Sequence, residues 1–123
     1  MGRRFTDEFV VRDMKMMPFV VEEGLNGQAM LKCAVDGKQK QFDPEEIIAM
    51  IIKHLKKHID EWLDQNTKRC AIAVPTYYDN NQRQAIVNAC KIAGLEVLTV
   101  VSEPMAAAIA NSIDKSKTSF ARL

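Results

Sequence analysis

Hydrophobic and polar residues recur with different periods along the chain, and each period predicts one kind of element. Near the N-terminus, apolar side chains recur at Val10, Met14 and Met17, three or four positions apart. This spacing places them on one face of a short helix, with Thr6 and Asp7 available as caps. The first predicted element is therefore a short amphipathic helix.

Three extended runs follow, at Phe19–Val21, Ala29–Val35 and Gln39–Phe42. The pair Asp36-Gly37 lies between the second and third runs. A two-residue turn of this composition joins antiparallel strands, because both of its central positions take positive φ. This part of the sequence predicts an antiparallel β-meander.

A long amphipathic helix is predicted next. It begins at Asp43 as N-cap, with Pro44 in the first helical position and Glu46 placed to complete a capping box. The periodicity predicts a buried stripe made of Ile47, Ile48, Ile51, Ile52, Leu55, Ile59, Trp62 and Leu63. It also predicts that five charged residues face solvent: Lys53, Lys56, Lys57, Asp60 and Glu61.

The remaining pattern predicts a β-α-β-α unit. Arg69–Pro75 is a nearly continuous apolar run, as in a strand that helices cover on both faces, and Leu95–Val101 predicts a second buried strand. Helices are predicted from Gln82 to Ala93 and from Met105 to Ile113. Because short loops join these elements, we expect a right-handed crossover and a parallel strand pair.

The composition is that of one globular domain, and it excludes several functional classes. The chain has 123 residues, 47% of them hydrophobic, and a formal net charge of +1. It lacks the basic excess of a nucleic-acid binder, and no apolar run approaches the roughly 18 to 20 residues of a membrane span. We therefore expect neither nucleic acid nor membrane as a partner.

The three cysteines, Cys33, Cys70 and Cys90, are widely spaced among apolar or small residues. An odd number without a C-x-x-C pair predicts reduced core thiols and no disulfide framework. Reduced thiols favour a reducing compartment, so we expect a cytoplasmic protein.

One edge of the predicted parallel pair is a candidate site, because ligands of open α/β sheets bind beyond the carboxyl ends of the strands. Residues 74–76 and 101–103 would meet at this edge, and Glu103 is the carboxylate aimed at it. At a helix N-terminus its negative charge is stabilised, and it can orient a water molecule or a hydrated cation. The alternative is a glutamate that only complements the helix dipole.

Arg83 begins the other helix at this edge and is a second candidate. A cation in the first turn of a helix is mildly unfavourable, which points to a partner outside the helix. Arg83 can reach the loop after Pro75 or an anionic group there. The alternative is an exposed, solvated arginine.

His54 and His58 lie four residues apart on the long helix, a spacing at which two imidazoles can share a metal ion. Lysines surround them, and no carboxylate occupies the position that a metalloprotease helix would provide. The sequence alone therefore favours a solvated cationic helix face. We expect no residue of this chain to bind a metal directly.

The five glycines are scattered, and neither G-x-x-x-x-G-K-[ST] nor G-x-G-x-x-G occurs in the sequence. Such loops supply the backbone N–H groups that bind nucleotide phosphates. We therefore expect that this chain by itself does not bind a nucleotide tightly.

Several blocks, in order along roughly residues 2–115, resemble the nucleotide-binding domain of the 70-kilodalton heat-shock chaperones. They are Gly2-Arg3-Arg4-Phe5, Arg12-Asp13-Met14-Lys15, Pro18-Phe19, Pro44-Glu45-Glu46-Ile47, Ala73-Val74-Pro75-Thr76-Tyr77-Tyr78, Gln82-Arg83-Gln84-Ala85, Ile92-Ala93-Gly94-Leu95 and Glu103-Pro104-Met105-Ala106-Ala107-Ala108-Ile109-Ala110. Any one block is weakly specific, whereas together they are highly specific.

That family's domain has the actin-like (ribonuclease H-like) ATPase fold, with two lobes around an ATP cleft, and this α/β chain resembles an internal piece of lobe one. The resemblance implies that residues 1–42 form most of the outer subdomain and residues 43–115 the second half of the inner one, followed by a polar tail at 116–123. It implies that the chain begins after the family's first phosphate loop and catalytic lysine and stops before its second phosphate loop.

The resemblance also implies roles for three residues. Pro75 matches the proline that switches between states as ATP turns over, and Arg83 matches the arginine that senses the switch. Glu103 matches the glutamate that helps to place Mg²⁺ and the attacking water and couples hydrolysis to the peptide-binding domain. A proline at a strand end can act as a relay, because a change at its ring moves the following loop.

Five positions depart from the residues usual in the family: Cys90, Thr99, Met105, Asn111 and Ser112. Thr99 stands where an arginine often contributes to J-domain and interdomain contacts. The resemblance thus implies a divergent member that keeps ATP chemistry and differs in its coupling to J-domain partners.

The implied activity of the intact parent is hydrolysis of ATP to ADP with Mg²⁺, which drives binding and release of unfolded polypeptides. Its implied partners are those polypeptides, J-domain co-chaperones and nucleotide exchange factors. We expect the fragment alone to lack turnover and to self-associate through core surface that the missing half covers. The alternative is a standalone α/β protein-interaction module without a nucleotide role.

Overall fold

A computed structural model of the chain describes residues 1–111. The elements run in the order α1 (Glu8–Met14), β1 (Val20–Glu23), β2 (Ala29–Val35), β3 (Lys38–Phe42), α2 (Pro44–Leu63), β4 (Arg69–Val74), α3 (Asn80–Ile92), β5 (Glu96–Ser102) and α4 (Glu103–Ala110). Within the described part, β1, β2 and β3 form one sheet, and β4 and β5 form a second. The result is a mixed α/β architecture.

The first sheet is the antiparallel meander that the sequence predicts, with strand order β1-β2-β3. Val35 pairs with Lys38, and the two residues between them, Asp36 and Gly37, have φ values of 51° and 74°. Positive φ at both positions gives the turn the twist that antiparallel strands require. The predicted hairpin is therefore confirmed.

Helix α1 is shorter than its apolar spacing suggests. Asp7 is its N-cap, and an Asp7 carboxylate oxygen accepts a hydrogen bond of 2.9 Å from the backbone N–H of Phe9. The helix ends at Met14, so Met17 lies beyond it in a turn in which the N–H of Met16 donates to the carbonyl of Asp13.

Helix α2 begins where the sequence predicts. The Glu46 carboxylate accepts a 2.9 Å hydrogen bond from the backbone N–H of Asp43, and Pro44 occupies the first helical position. The N–H groups at the start of a helix have no partner within the helix. Glu46 supplies an acceptor for the N–H of Asp43, and Pro44 has no N–H that would need one.

The predicted burial of α2 is wrong for most of its apolar stripe. The helix packs on α3 through Ala49, which is buried with Ala89 and Ala93, and through Ile48 and Ile52 beside them. Five residues of the predicted buried stripe are exposed in the described chain: Ile51, Leu55, Ile59, Trp62 and Leu63. The reason is geometric, because the alanine contact presents only a narrow face of α2 to its neighbours.

Two charged residues that were predicted to face solvent are half-buried instead. Lys56 and Asp60 form an ion pair, and Lys56 Nζ also donates to the side-chain oxygen of Asn66 at 2.9 Å. A carboxylate oxygen of Asp60 accepts a 2.7 Å hydrogen bond from the backbone N–H of Thr67. These contacts connect the end of α2 to the loop before β4.

Strands β4 and β5 are parallel, as predicted, and an irregularity in register lies between Cys70 and Ala71. The inward face of the pair meets the helices through Val74, which is 1% exposed, and through Cys70 and Ile72. The other face is open in residues 1–111, where Leu98 on β5 is 60% exposed. The predicted helix cover on both faces of β4 is thus wrong for this part of the chain.

The core of the second half lies between this sheet and α3. Its buried members are Val74, Ile86, Cys90 and Leu95. Burial, and then the neighbouring Cys70 thiol, raises the pKa of Cys90 to about 11. All three cysteines are free thiols.

Helices α3 and α4 begin earlier than predicted because of their caps. An Asp79 carboxylate oxygen accepts from the N–H of Gln82 at 2.8 Å, and the Gln82 side-chain oxygen accepts from the N–H of Asp79 at 3.1 Å. Ser102 is the N-cap of α4, which therefore starts at Glu103. The predicted end of α4 at Ile113 and the tail at 116–123 lie outside the described residues.

Among the helices in residues 1–111, none combines the length and the apolar character needed to cross a bilayer.

The buried end of β4 gives a stability prediction. We expect Val74→Ala to lower the free energy of unfolding by about 1–3 kcal/mol, because it removes methyl groups from a fully buried site. Leu98→Ala, on the open face of the neighbouring strand, should cost less than about 1 kcal/mol. Urea unfolding of both variants measures the difference, and equal losses would contradict the assignment of an inner and an outer face.

Asp60 gives a prediction of pH dependence. Its pKa lies below the ordinary value of 3.8 because Lys56 and the N–H of Thr67 bind the ionised carboxylate. The stabilisation is therefore present above that value and is lost as the pH falls through the lower pKa of the folded state. We expect Asp60→Asn to lower the Tm near neutral pH. The difference in Tm between the variant and the wild type should shrink as the pH falls below about 4. Asp64→Asn is the control, and a gap that persists in acid would refute the linkage.

Candidate functional site

The carboxyl ends of β4 and β5 lie side by side. Val74 pairs with Ser102 in the parallel register, and the next residue of each strand is Pro75 or Glu103. Val74 is buried, so this end of β4 is fixed in the core. The two candidate residues therefore share one edge of the sheet, which we call the strand-end rim and define by Pro75, Tyr78, Arg83 and Glu103.

Glu103 is the first residue of α4, and Pro104 follows it in the first turn. Its side chain is exposed at the positive end of the helix dipole, which stabilises negative charge there. A carboxylate at this place can accept hydrogen bonds from a water molecule or from the hydration shell of a cation.

Pro75 and Arg83 are connected through one intermediate residue. The carbonyl of Pro75 accepts a hydrogen bond of 3.2 Å from the N–H of Tyr78. The carbonyl of Tyr78 in turn accepts a 3.1 Å hydrogen bond from Nε of Arg83, which is half-buried. The turn at the end of β4 is thereby tied to the first turn of α3.

Within the described residues, Arg83 joins the rim through Tyr78 and makes no direct hydrogen bond or ion pair with Glu103. The guanidinium thus does reach the loop after Pro75, as one of the two sequence interpretations proposed. The link through Tyr78 was missed because it uses a backbone carbonyl, which no side-chain motif reveals.

The N-terminal segment also lies against the start of α3, which sequence reasoning missed. Gly2 has a φ of 65°, and a Cβ placed there would lie 2.8 Å from the Cα of Gln82. Only glycine allows this approach without displacing the helix backbone. The available signal was a glycine directly after Met1, which is too common a pattern to interpret alone.

A mostly apolar cavity of about 330 Å³ lies next to this segment. Its walls come from α1, the meander and the N-terminus, and they include Phe9, Met14, Phe19 and Leu31. The rim residues Pro75, Arg83 and Glu103 do not line it. The cavity is therefore separate from the candidate site.

Metal ligands are sparse in the described chain. Residues 1–111 contain no group of three or more His, Cys, Asp or Glu side chains that could hold a metal ion. Glu103 contributes a single carboxylate to the rim, which is enough to orient a hydrated cation but does not enclose one.

Comparison with known proteins identifies the family to which this chain belongs. The family model described as "Hsp70 protein" matches residues 1–121. The chain belongs to the Hsp70 family, which confirms the resemblance drawn from its sequence blocks.

Three similar relatives show the extent of the match. The "Heat shock cognate HSP70 protein" of Trypanosoma brucei brucei is 42% identical over 115 residues, or 94% of this chain. The "Chaperone protein DnaK" of Carsonella ruddii (strain PV) is 41% identical over 116 residues, also 94% of this chain. The human "Putative heat shock 70 kDa protein 7" is 44% identical over 115 residues, or 93% of this chain. The aligned stretch is only 17%, 19% and 31% of these relatives, respectively.

The link from Arg83 to Tyr78 gives a prediction for local opening. We expect Arg83→Ala to accelerate hydrogen exchange of the Tyr78 amide about fivefold, because loss of one hydrogen bond of roughly 1 kcal/mol loosens the turn. Exchange measured by NMR reports this amide directly. Lys91→Ala, in the last turn of α3, is the control, and unchanged protection of Tyr78 in Arg83→Ala would show that the turn does not depend on the guanidinium.

Proposed function

We propose that this chain forms one wall of the ATP cleft in a chaperone ATPase with the actin-like (ribonuclease H-like) fold. The single observation that supports the proposal most is the parallel register in which Val74 meets Ser102, because it brings Pro75 and Glu103 to one edge. Residues 1–42 belong to the outer subdomain and residues 43–115 to the inner one in this proposal.

The proposed chemistry is the hydrolysis of ATP by water to ADP and phosphate. Bound Mg²⁺ would neutralise charge on the phosphates and hold water molecules in fixed positions. Glu103 would help to hold the hydrated ion without binding it directly, because its exposed carboxylate at a helix N-terminus can accept hydrogen bonds from the hydration shell. Its carboxylate accepts a hydrogen bond from the attacking water and orients a lone pair of that water towards the γ-phosphate.

Pro75 and Arg83 form the proposed allosteric relay. A shift of the Pro75 turn moves the carbonyl of Tyr78, and with it the hydrogen bond to Arg83 on α3. Val74 stays fixed in the core, so the movement is confined to the turn and the helix start. Such a device converts a change at the rim into a displacement of the first turn of α3.

The remaining parts of the cleft come, in this proposal, from other segments of an intact parent. The relatives are three to six times as long as the aligned stretch, which leaves room for phosphate-binding loops elsewhere. The parent would bind ATP, ADP and Mg²⁺, act on unfolded polypeptides in the cytoplasm, and work with J-domain co-chaperones and nucleotide exchange factors. The chain alone would neither turn over ATP nor bind it tightly.

Exposed apolar surfaces support the proposal that the chain is part of a larger folded domain. Trp62 on α2 is 84% exposed, and Leu98 is exposed on the outer face of the second sheet. Large side chains of this kind are normally covered by a neighbouring part of the protein. In the isolated chain the same surfaces would favour a homo-oligomer.

Three of the five positions that depart from the residues usual in the family are exposed in the structure. Thr99 and Met105 are exposed, and the Asn111 side chain donates a 2.8 Å hydrogen bond to the carbonyl of Ala107 at the end of α4. Cys90 is fully buried, whereas Ser112 lies outside the described residues. We propose that Thr99 and Met105 alter contacts with J-domain partners and leave the rim intact.

The second candidate is a standalone protein-interaction module, which the same exposed surface of α2 also favours. The reading frame separates the two proposals. A coding sequence that continues into glycine-rich loops on both sides supports the ATPase, and a stop codon directly after residue 123 supports the module.

The incomplete cleft can be tested with the chain alone. Calorimetric titration with Mg-ATP should give no binding tighter than about 100 μM, and phosphate release should equal the buffer rate, because phosphate loops are absent from the sequence. Micromolar affinity would contradict the proposal.

The role of Glu103 needs the full-length parent. We expect Glu103→Gln to lower the single-turnover rate of ATP hydrolysis by about 100-fold or more while ATP affinity changes little, because the carboxylate acts on the attacking water. Glu96→Gln, at the opposite end of β5, is the control and should retain the wild-type rate. Equal rates for both variants would remove Glu103 from the mechanism.

A further inference from the structure

The two histidines of α2 converge on each other in the structure. Nε2 of His54 and Nε2 of His58 are 3.1 Å apart, and the ring centroids are 4.6 Å apart with perpendicular planes. Both side chains are exposed. Their backbone positions are set by α2, a helix of 20 residues. Only their spacing is visible in the sequence, whereas the structure shows Nε2 of one ring at hydrogen-bond distance from Nε2 of the other, so one of them carries a proton that a metal ion would replace.

This separation suits a shared metal ion. Zinc bonds to imidazole nitrogen at about 2.0–2.1 Å, so two nitrogens 3.1 Å apart subtend an angle of about 98° at the ion. That angle is within reach of tetrahedral coordination by a small rotation of either ring. No rearrangement of the helix is needed to form the chelate.

Glu61 favours the tautomer that metal binding requires. Its Oε2 lies 3.7 Å from Nδ1 of His58, and a proton on Nδ1 leaves the lone pair of Nε2 free. A carboxylate behind a metal-binding histidine orients the ring and makes it a stronger ligand. The other oxygen of Glu61 lies 3.8 Å from Nζ of Lys57.

We propose that His54 and His58 form a two-ligand site for a divalent transition metal that prefers imidazole, with zinc as the ion and Glu61 as a positioning residue. No third side chain of residues 1–111 completes the set, so water or an external group fills the other coordination positions. The contact of Asp60 with Thr67 places this part of α2 beside the amino end of β4, opposite the strand-end rim. The site is therefore independent of the proposed ATP chemistry.

The site is tested by titrating the 123-residue chain with zinc chloride in a calorimeter and by following its Tm. We expect one zinc per chain and, at free zinc about tenfold above the measured Kd, a rise in Tm of about 4–8 °C, because the folded helix binds zinc and the unfolded chain loses the chelate. If no saturable binding is detected up to about 1 mM zinc, the proposal is overturned.

Single variants identify the ligands. His54→Gln and His58→Gln should each weaken zinc binding at least about tenfold, because one exposed imidazole is a poor ligand compared with a chelate. Lys53→Gln, next to His54 on the same helix, is the matched control and should bind zinc as the wild type does. Wild-type affinity in either histidine variant, or loss of binding in Cys33→Ser alone, would refute the assignment.

Two further measurements test the geometry. Substoichiometric Ni²⁺ should broaden the ring resonances of His54 and His58 in the NMR spectrum, and equal broadening elsewhere on α2 would exclude a specific site. Glu61→Gln should weaken zinc binding about tenfold with the stoichiometry unchanged, as expected for a residue behind a ligand. Unchanged affinity in Glu61→Gln would refute its positioning role.

Discussion

The parallel pairing of β4 with β5 is the constraint on which the rest of this structure depends. Hydrogen bonds between the strands fix Val74 against Ser102, and the burial of Val74 anchors that pair in the core. Because two parallel strands end at the same edge, a proline turn and a helix N-terminus are brought together there by the backbone pairing alone. The connection that runs back through α3 then places Arg83 close enough to bind the turn.

The helices are held by small residues, which determines how much of each helix remains available. Ala49, Ala89 and Ala93 let α2 and α3 approach closely, so the contact is narrow and the larger side chains of α2 lie outside it. The opposite end of α2 is held by charge instead, through Lys56, Asp60 and the N–H of Thr67. One helix therefore carries an exposed apolar surface, a half-buried ion pair and an exposed histidine pair.

Local signals in the sequence predicted the elements well. Asp43 with Pro44, and Asp36 with Gly37, each specify a backbone conformation through their own chemistry, and the structure has a helix start and a hairpin there. The order of strands and helices predicted the parallel pair, because chain connectivity allows few alternatives.

Burial and contacts were predicted less well, since they depend on what else is present. Periodicity identified an apolar stripe on α2, but it could not show that Leu55 and Trp62 would have no cover in residues 1–111. The carbonyl of Tyr78 carries no side-chain signature, and the 3.1 Å approach of two imidazoles depends on rotamers. Sequence reasoning therefore reached the edge at which Pro75 and Glu103 meet, but not the hydrogen bonds that organise it.

The second sheet has a consequence for how the isolated chain behaves. In residues 1–111, β4 pairs only with β5, so one side of each strand carries backbone N–H and C=O groups without a strand partner. An edge of this kind is a template for cross-β growth. In the described part of the chain, the outer edge of the two-stranded sheet is therefore where a further strand could pair.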